Sequence, residues 1–313
     1  MSRADEILAA RPRLWDGHPI VTESAVLPTR AVMDATARVI RLARKTRASI
    51  AFWADPMTGK SSCLDAIARA IRSKFPGAGI LRLEPVEDNG HAEGRLLEEI
   101  LNALNYAPKI DRSLAGKRHQ VARALLAWSG PAKHLFILVD EAQEFAISEF
   151  AWLKAIINEQ AALGVKVTTV LIGQRELQRS KHDLEAKGRS DLSARFMHRL
   201  REFHGVRAEA DMRAVCEALD QKSEYPVGSG WTYTEFFFPR ASANGFRFIE
   251  TAPMLWAAIT AALPPTLVRK GLPMSLVAAM VANLCISCGS QDTAPFTLTI
   301  ELSTGALKRA LAE

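Results

Sequence analysis

Residues 49–62 read Ser49-Ile50-Ala51-Phe52-Trp53-Ala54-Asp55-Pro56-Met57-Thr58-Gly59-Lys60-Ser61-Ser62. The apolar run Ser49 to Trp53, bounded by turn residues, reads as a strand buried on both faces. After the loop, Leu64, Ile67, Ala68 and Ile71 recur at helical spacing until Phe75-Pro76-Gly77 ends the helix. The loop closes on Gly59-Lys60-Ser61, matching the end of the phosphate-loop pattern G-x-x-x-x-G-K-[S/T]; Ala54 stands where the pattern has its first glycine. That chemistry needs backbone N–H groups converging on phosphate oxygens at a helix N-terminus, whose dipole favours negative charge. Gly59 permits close backbone approach, Lys60 reaches the β- and γ-phosphates, and the Ser61 hydroxyl ligates Mg²⁺. Asp55, Pro56, Met57, Thr58 and Ser62 complete the candidate cradle for ATP.

A second signal lies further along. Leu135-Phe136-Ile137-Leu138-Val139 runs directly into Asp140-Glu141. An apolar strand ending in two adjacent carboxylates is the Walker-B arrangement: Asp140 holds Mg²⁺ and Glu141 polarises the attacking water as general base. Both motifs stand at the C-terminal ends of strands, the rim where open α/β sheets bind ligands. The β-branched strand Val165 to Ile172 ends in Gly173-Gln174. Placed between the other two strands, Gln174 would face the γ-phosphate and position water; otherwise it caps the following turn. Arg195, on the next helix, is a candidate to project into a neighbouring subunit's site, with Arg199 and Arg201 competing for that role. Arg247 is a candidate lid arginine on the γ-phosphate.

Further strands are expected at Ile80 to Leu83 and Phe203 to Val206, with helices at Leu96 to Leu104, Val121 to Trp128, Leu192 to Leu200 and one capped by Ser148. Strands alternating with helices imply a five-stranded parallel α/β sheet covered on both faces. Residues 1–28 form an N-terminal extension, its first 27 residues read as an irregular lead-in. Residues 29–208 form the α/β domain and 209–313 a smaller, mainly helical lid, with the aromatic stretch Trp231 to Phe238 read as core filler beneath the lid, the alternative being a partner-docking surface.

These motifs, with Arg195-Phe196 after a polar strand end, resemble an AAA+ ATPase with a P-loop NTPase fold. Leu27-Pro28-Thr29-Arg30 before a helix and Asp140-Glu141-Ala142-Gln143 are similar to the TniB/TnsC-type transposition ATPases. The resemblance covers roughly residues 25 to 208. It implies an Mg²⁺-dependent ATPase that oligomerises on duplex DNA with ATP, recruits a transposase and a target-selection protein, and disassembles on hydrolysis. The alternatives are an AAA+ helper of a secretion or pilus assembly system and a nucleotide-dependent scaffold with negligible hydrolysis.

The chain's 313 residues, 48% apolar and 24% charged, exclude collagen, coiled-coil and disordered classes. No apolar stretch reaches membrane-spanning length, no secretory signal opens the chain, and the four cysteines make no disulfide framework. A cytoplasmic protein without membrane contact is expected. The net charge of +6 suits an anionic partner. Three basic clusters are candidates for sequence-independent DNA contact: Arg38, Arg41, Arg44, Lys45 and Arg47; Lys109, Arg112, Lys117 and Arg118; Arg179, Lys181, Lys187 and Arg189. For any one of them the usual explanation is a solvated helix face. Cys285 and Cys288 read as small buried side chains on a helix, because a structural zinc site wants four ligands.

Overall fold

The computed structural model describes residues 2–27, 29–45, 47–85, 92–290, 292–293 and 295–312. In chain order the elements are α1 (Arg3–Leu14), α2 (Arg30–Leu42), β1 (Arg47–Trp53), α3 (Lys60–Lys74), β2 (Gly79–Leu83), α4 (Glu93–Ala103), α5 (Leu114–Trp128), β3 (His134–Val139), α6 (Ile147–Ala162), β4 (Lys166–Gly173), α7 (Glu176–Ala186), α8 (Ser190–Phe196), β5 (Leu200–Glu202), α9 (Glu209–Gln221), α10 (Tyr233–Phe237), α11 (Pro239–Ala243), α12 (Phe248–Ala262), α13 (Pro265–Lys270), α14 (Met274–Gly289) and α15 (Ile300–Ala310). Pro28 of the Leu27–Arg30 stretch and the side chain of Arg47 lie outside the described residues. The chain divides into two compact units. A core unit comprises Asp34–Pro56 and Lys60–Phe203; a helical unit comprises Met1–Met33, Met57–Gly59 and His204–Glu313.

In the core unit the five strands form one sheet in the order β2-β3-β4-β1-β5. Every pairing is parallel, which the helical crossovers between consecutive strands require. All six residues of β3 are buried, as a strand covered on both faces demands. Leu135, Ile137 and Val139 pack with Leu97 and Ile100 of α4, Leu125 of α5 and Leu153 of α6. On the opposite face, Phe136 lies 5.3 Å from Phe75, ring to ring, just beyond α3. Each such side chain contributes about 2 kcal/mol on leaving water. The β3 pairing also buries a polar contact, His134 Nε2 to Thr168 Oγ1 at 2.9 Å.

Several local expectations fail. The helix expected to reach Leu200 stops at Phe196, and the last strand is Leu200–Glu202 rather than Phe203 to Val206. Pairing with β1 decides this register: Ala51, Phe52 and Trp53 stand opposite Leu200, Arg201 and Glu202. An edge strand satisfies only one neighbour, so it tolerates two charged residues that an apolar pattern would reject. Ser148 does not cap α6. The cap is Ala146, whose N–H donates to Glu149 Oε2 at 2.8 Å, so Ser148 lies inside the first turn. Helix α7 is unforeseen in the sequence; its apolar stripe is only Leu177 and Leu184, both fully buried.

In the helical unit, residues 3–14 are a helix rather than an irregular lead-in. Ser2 and Asp5 close a capping box, and Ile7 and Ala10 are buried. Pro12 removes one hydrogen bond near the helix end. Arg11 offsets this by donating to the carbonyls of Phe237 at 3.2 Å and Gly289 at 3.4 Å. The aromatic stretch is core material: Phe236, Phe237 and Phe238 are at most 1% exposed. Cys285 and Cys288 are buried in the same cluster on α14. The Asp220 carboxylate of α9 accepts the Phe248 and Ile249 N–H groups at 3.0 and 2.9 Å, capping α12. Among the described residues, no helix is long and apolar enough to cross a membrane.

Candidate nucleotide-binding site

The site in the core unit starts from β1. Ala54 is fully buried, and its N–H extends the ladder by donating to Gly173 O at 3.0 Å. Its φ is not positive, so a Cβ costs nothing there and the missing first glycine leaves no strain. The left-handed positions are instead Met57, at φ 60°, and Gly59, at φ 87°. In the helical unit, Met57 O accepts the Met274 N–H at 3.0 Å at the start of α14.

Helix α3 opens with Lys60, which is 8% exposed, and the adjacent Ser61 is exposed. Lys60 Nζ lies 3.7 Å from Glu141 Oε1. The lysine after β1 and the carboxylates after β3 therefore meet on one rim of the sheet. They are brought there by β4, which pairs with both strands. Asp140 is 1% exposed. Its Oδ2 accepts Arg82 Nη2 at 3.0 Å and its Oδ1 accepts the Glu141 N–H at 3.1 Å. Arg82 also donates to Asp65 Oδ1 of α3 at 2.6 Å. Below Asp140, burial and its negative charge push the Cys63 thiol up to about 12, so that sulfur stays protonated.

Glu141 sits in the left-handed region, φ 44° and ψ 43°, a conformation that non-glycine residues hold only when neighbours enforce it. The enforcing groups are two amides. Gln143 Nε2 donates to Glu141 Oε2 at 2.8 Å, and Gln174 Nε2 donates to the same oxygen at 3.4 Å. Gln174 N in turn donates to Gln143 Oε1 at 2.8 Å. Gly173 makes room for this: a Cβ there would lie 2.6 Å from Gln143 Oε1. Gln174 thus touches Glu141 rather than serving only the following turn. Arg175 stacks over Trp53, 5.5 Å from the ring centroid, with Nε 3.8 Å from Asp55 Oδ1.

Other expected residues lie elsewhere. Arg195 is half-buried on α8, while Arg199 immediately precedes β5 and Arg201 lies within it. Arg247 belongs to the helical unit, where its Nη1 donates to the Ser242 and Phe246 carbonyls at 3.0 and 2.7 Å. Sequence reasoning missed Arg82 and Gln143 as site residues. Both left a trace: a lone cation inside the five-residue strand Gly79–Leu83, and an amide in the turn after paired carboxylates.

The donor set fits a magnesium nucleotide. A serine hydroxyl at a helix start and a buried carboxylate are hard oxygen ligands of the kind Mg²⁺ takes together with substrate phosphates. When bound, the ion would be held by Ser61 and Asp140 and would neutralise phosphate charge. Glu141, held by its two amides, would orient water and accept its proton. Lys60 would carry the charge of the outer phosphates.

Known proteins agree with this architecture. Residues 43–180 match the family described as AAA domain. The fold is that of an AAA+ P-loop NTPase. The Aeropyrum pernix ORC2 protein, solved as ADPNP and ADP complexes, shares this AAA+ fold with a TM-score of 0.58 at 13% identity, over 94% of this chain and 72% of that one. The Cdc6p protein of Pyrobaculum aerophilum gives 0.52 at 13% identity, over 84% and 62%. Drosophila ORC bound to DNA gives 0.51 at 13% identity, over 98% and 66%. The chain therefore spans about two thirds of the length of these AAA+ structures. No curated protein sequence matches it.

Proposed function

We propose that the chain binds ATP with Mg²⁺ and hydrolyses it, using bound nucleotide to control assembly on DNA. The observation that carries this reading is the meeting of Lys60 and Glu141 at 3.7 Å, beside buried Asp140. The cradle is residues 55–62. Ser61 and Asp140 are the metal ligands, Glu141 the general base, and Gln174 the amide that steadies it. Arg195 serves a neighbouring subunit. The AAA+ fold, shared with a protein solved with ADPNP and with one solved on DNA, supports both the nucleotide and the DNA parts.

The finer assignment is a regulator of DNA transposition, supported by the TniB/TnsC-like stretches before α2 and around Asp140 to Gln143. On this reading ATP favours oligomers on duplex DNA, the oligomer recruits a transposase and a target-selection protein, and hydrolysis dissolves it. The protein works in the cytoplasm.

Two substitutions test the site. Lys60→Ala is expected to abolish ATP binding in calorimetry while the circular dichroism spectrum is retained; unchanged affinity overturns the site. Glu141→Gln is expected to keep ATP binding and lose hydrolysis by about a hundredfold or more. A Glu141→Gln protein that hydrolyses and assembles like the unaltered chain overturns the enzyme reading and leaves a nucleotide-dependent scaffold. Electron microscopy with ADPNP and duplex DNA, at low and high salt, tests the DNA part. Absence of ordered assemblies on DNA overturns it.

A further inference from the structure

Three basic clusters stand out in the sequence, and the structure separates them by what each charge touches. In the second, Lys117 pairs with Glu98 at 2.5 Å and Arg118 with Glu93 at 2.5 Å. In the third, Arg189 pairs with Asp191 at 3.1 Å and Lys181 lies 4.0 Å from Glu185. Half of each of these two clusters therefore has carboxylate partners on the protein, while Lys109, Arg112, Arg179 and Lys187 are exposed and pair with no carboxylate among the described residues. The first cluster differs. Arg38 and Arg41, one turn apart on α2, and Lys45 just beyond it line a cleft of about 150 Å³ in the core unit. The opposite wall is Arg199 and Arg201, which flank Leu200 at the edge strand. Among the described residues, none of these five cations is paired with a carboxylate.

Five like charges around one cleft repel one another, and the floor beneath them, Leu42 and Ile50, offers nothing to neutralise them. Among the described lining residues no side chain is a carboxylate, amide or hydroxyl, so those side chains present donors only. Such a lining suits phosphate oxygens, which arginine forks grip bidentately, and carries no acceptor with which to read the donors on a base edge. Sequence separates the two walls by more than 150 residues; only the β1–β5 pairing brings them together.

We propose that this cleft is the site where the chain holds the backbone phosphates of duplex DNA. The proposal rests on the DNA-binding reading above and names its contact surface. Arg199 and Arg201 then serve DNA, which leaves Arg195 alone as the arginine directed at a neighbouring subunit. In an oligomer the cleft would repeat along the duplex, so modest contacts per subunit would sum.

The test uses the full chain with ADPNP and a fluorescein-labelled duplex of random sequence, read by anisotropy across a potassium chloride series. The slope of log affinity against log salt is expected to fall by about one unit for each phosphate-bound cation removed. The triple variant Arg38→Ala, Arg41→Ala, Lys45→Ala should therefore lose about three units of slope and bind DNA at least tenfold more weakly at low salt. Its ADP affinity should be unchanged, which reports an intact core. Arg38→Lys with Arg41→Lys should keep the slope, because charge rather than packing carries the effect. Arg201→Ala should remove about one further unit of slope. If the unaltered chain binds DNA and the triple variant binds it with the same affinity and slope, the cleft is overturned and the DNA reading stands. If the unaltered chain does not bind DNA at all, that reading falls and takes the cleft with it.

Discussion

Asp140 is a carboxylate almost sealed from water, and Arg82 is the cation that makes its charge tolerable. Removing one partner of such a pair exposes the other to an uncompensated desolvation cost. Arg82 is itself partly exposed, so the expected loss for Arg82→Met is about 2 kcal/mol rather than the larger figure for a fully buried pair. In thermal denaturation this appears as a drop of about 5 °C. Neutralising the partner as well, in Arg82→Met with Asp140→Asn, should return most of the stability; an unchanged drop in the double variant would show that Arg82 acts through packing. Glu141 illustrates the complementary case. Its left-handed backbone is paid for by the two amide contacts that hold its carboxylate, so strain and orientation share one cause.

Strand β3 carries a pH dependence into the centre of the sheet. Its first residue, His134, is 5% exposed and meets Thr168 of β4. Burial, with Lys166 nearby, lowers its pKa from the usual 6.5 to about 4. The folded chain therefore holds His134 neutral while the unfolded chain takes up its proton first. Stability is full above pH 6.5 and declines as pH falls towards 4. The loss over that window is about 2 kcal/mol from this residue, seen in urea titrations at pH 7 and pH 4.5. His134→Gln keeps a polar partner for Thr168 and should flatten the decline. The remaining slope belongs partly to His18 of the helical unit, also buried and lowered to about 4. A His134→Gln protein with the same decline as the unaltered chain would remove β3 from this account.

At the scale of the molecule, the open question is whether one subunit completes the site of another. Arg195→Ala and Glu141→Gln should each lose hydrolysis when assayed alone. If the arginine acts across a boundary, mixing the two proteins creates some boundaries with a sound Glu141 on one side and a sound Arg195 on the other. Hydrolysis is then expected to recover to a measurable fraction in the mixture. No recovery at any ratio, with both variants still co-assembling in sedimentation, would place Arg195 within its own subunit's site or outside the chemistry.

The strand, the loop ending in Lys60 and Ser61 and the paired carboxylates were legible before any coordinates. They rest on local chemistry: apolar runs bury, glycine admits a tight turn, and adjacent carboxylates end a strand at a solvent-facing rim. Arg82 was not legible as a site residue, because its role exists only through Asp140, far along the chain, and Gln143 only in part, because its contact with Glu141 is local while its contact with Gln174 is not. The same reason explains β5, whose three residues carry no strand pattern and are ordered by the backbone of β1. It explains α1 too, whose weak stripe becomes helical against the carbonyls of Phe237 and Gly289. Local sequence could specify which elements form and what chemistry they carry. The order β2-β3-β4-β1-β5, and with it the approach of Lys60 to Glu141 and of Arg38 to Arg199, needed three-dimensional packing, because free energy from non-local burial has no signature in any short window of residues.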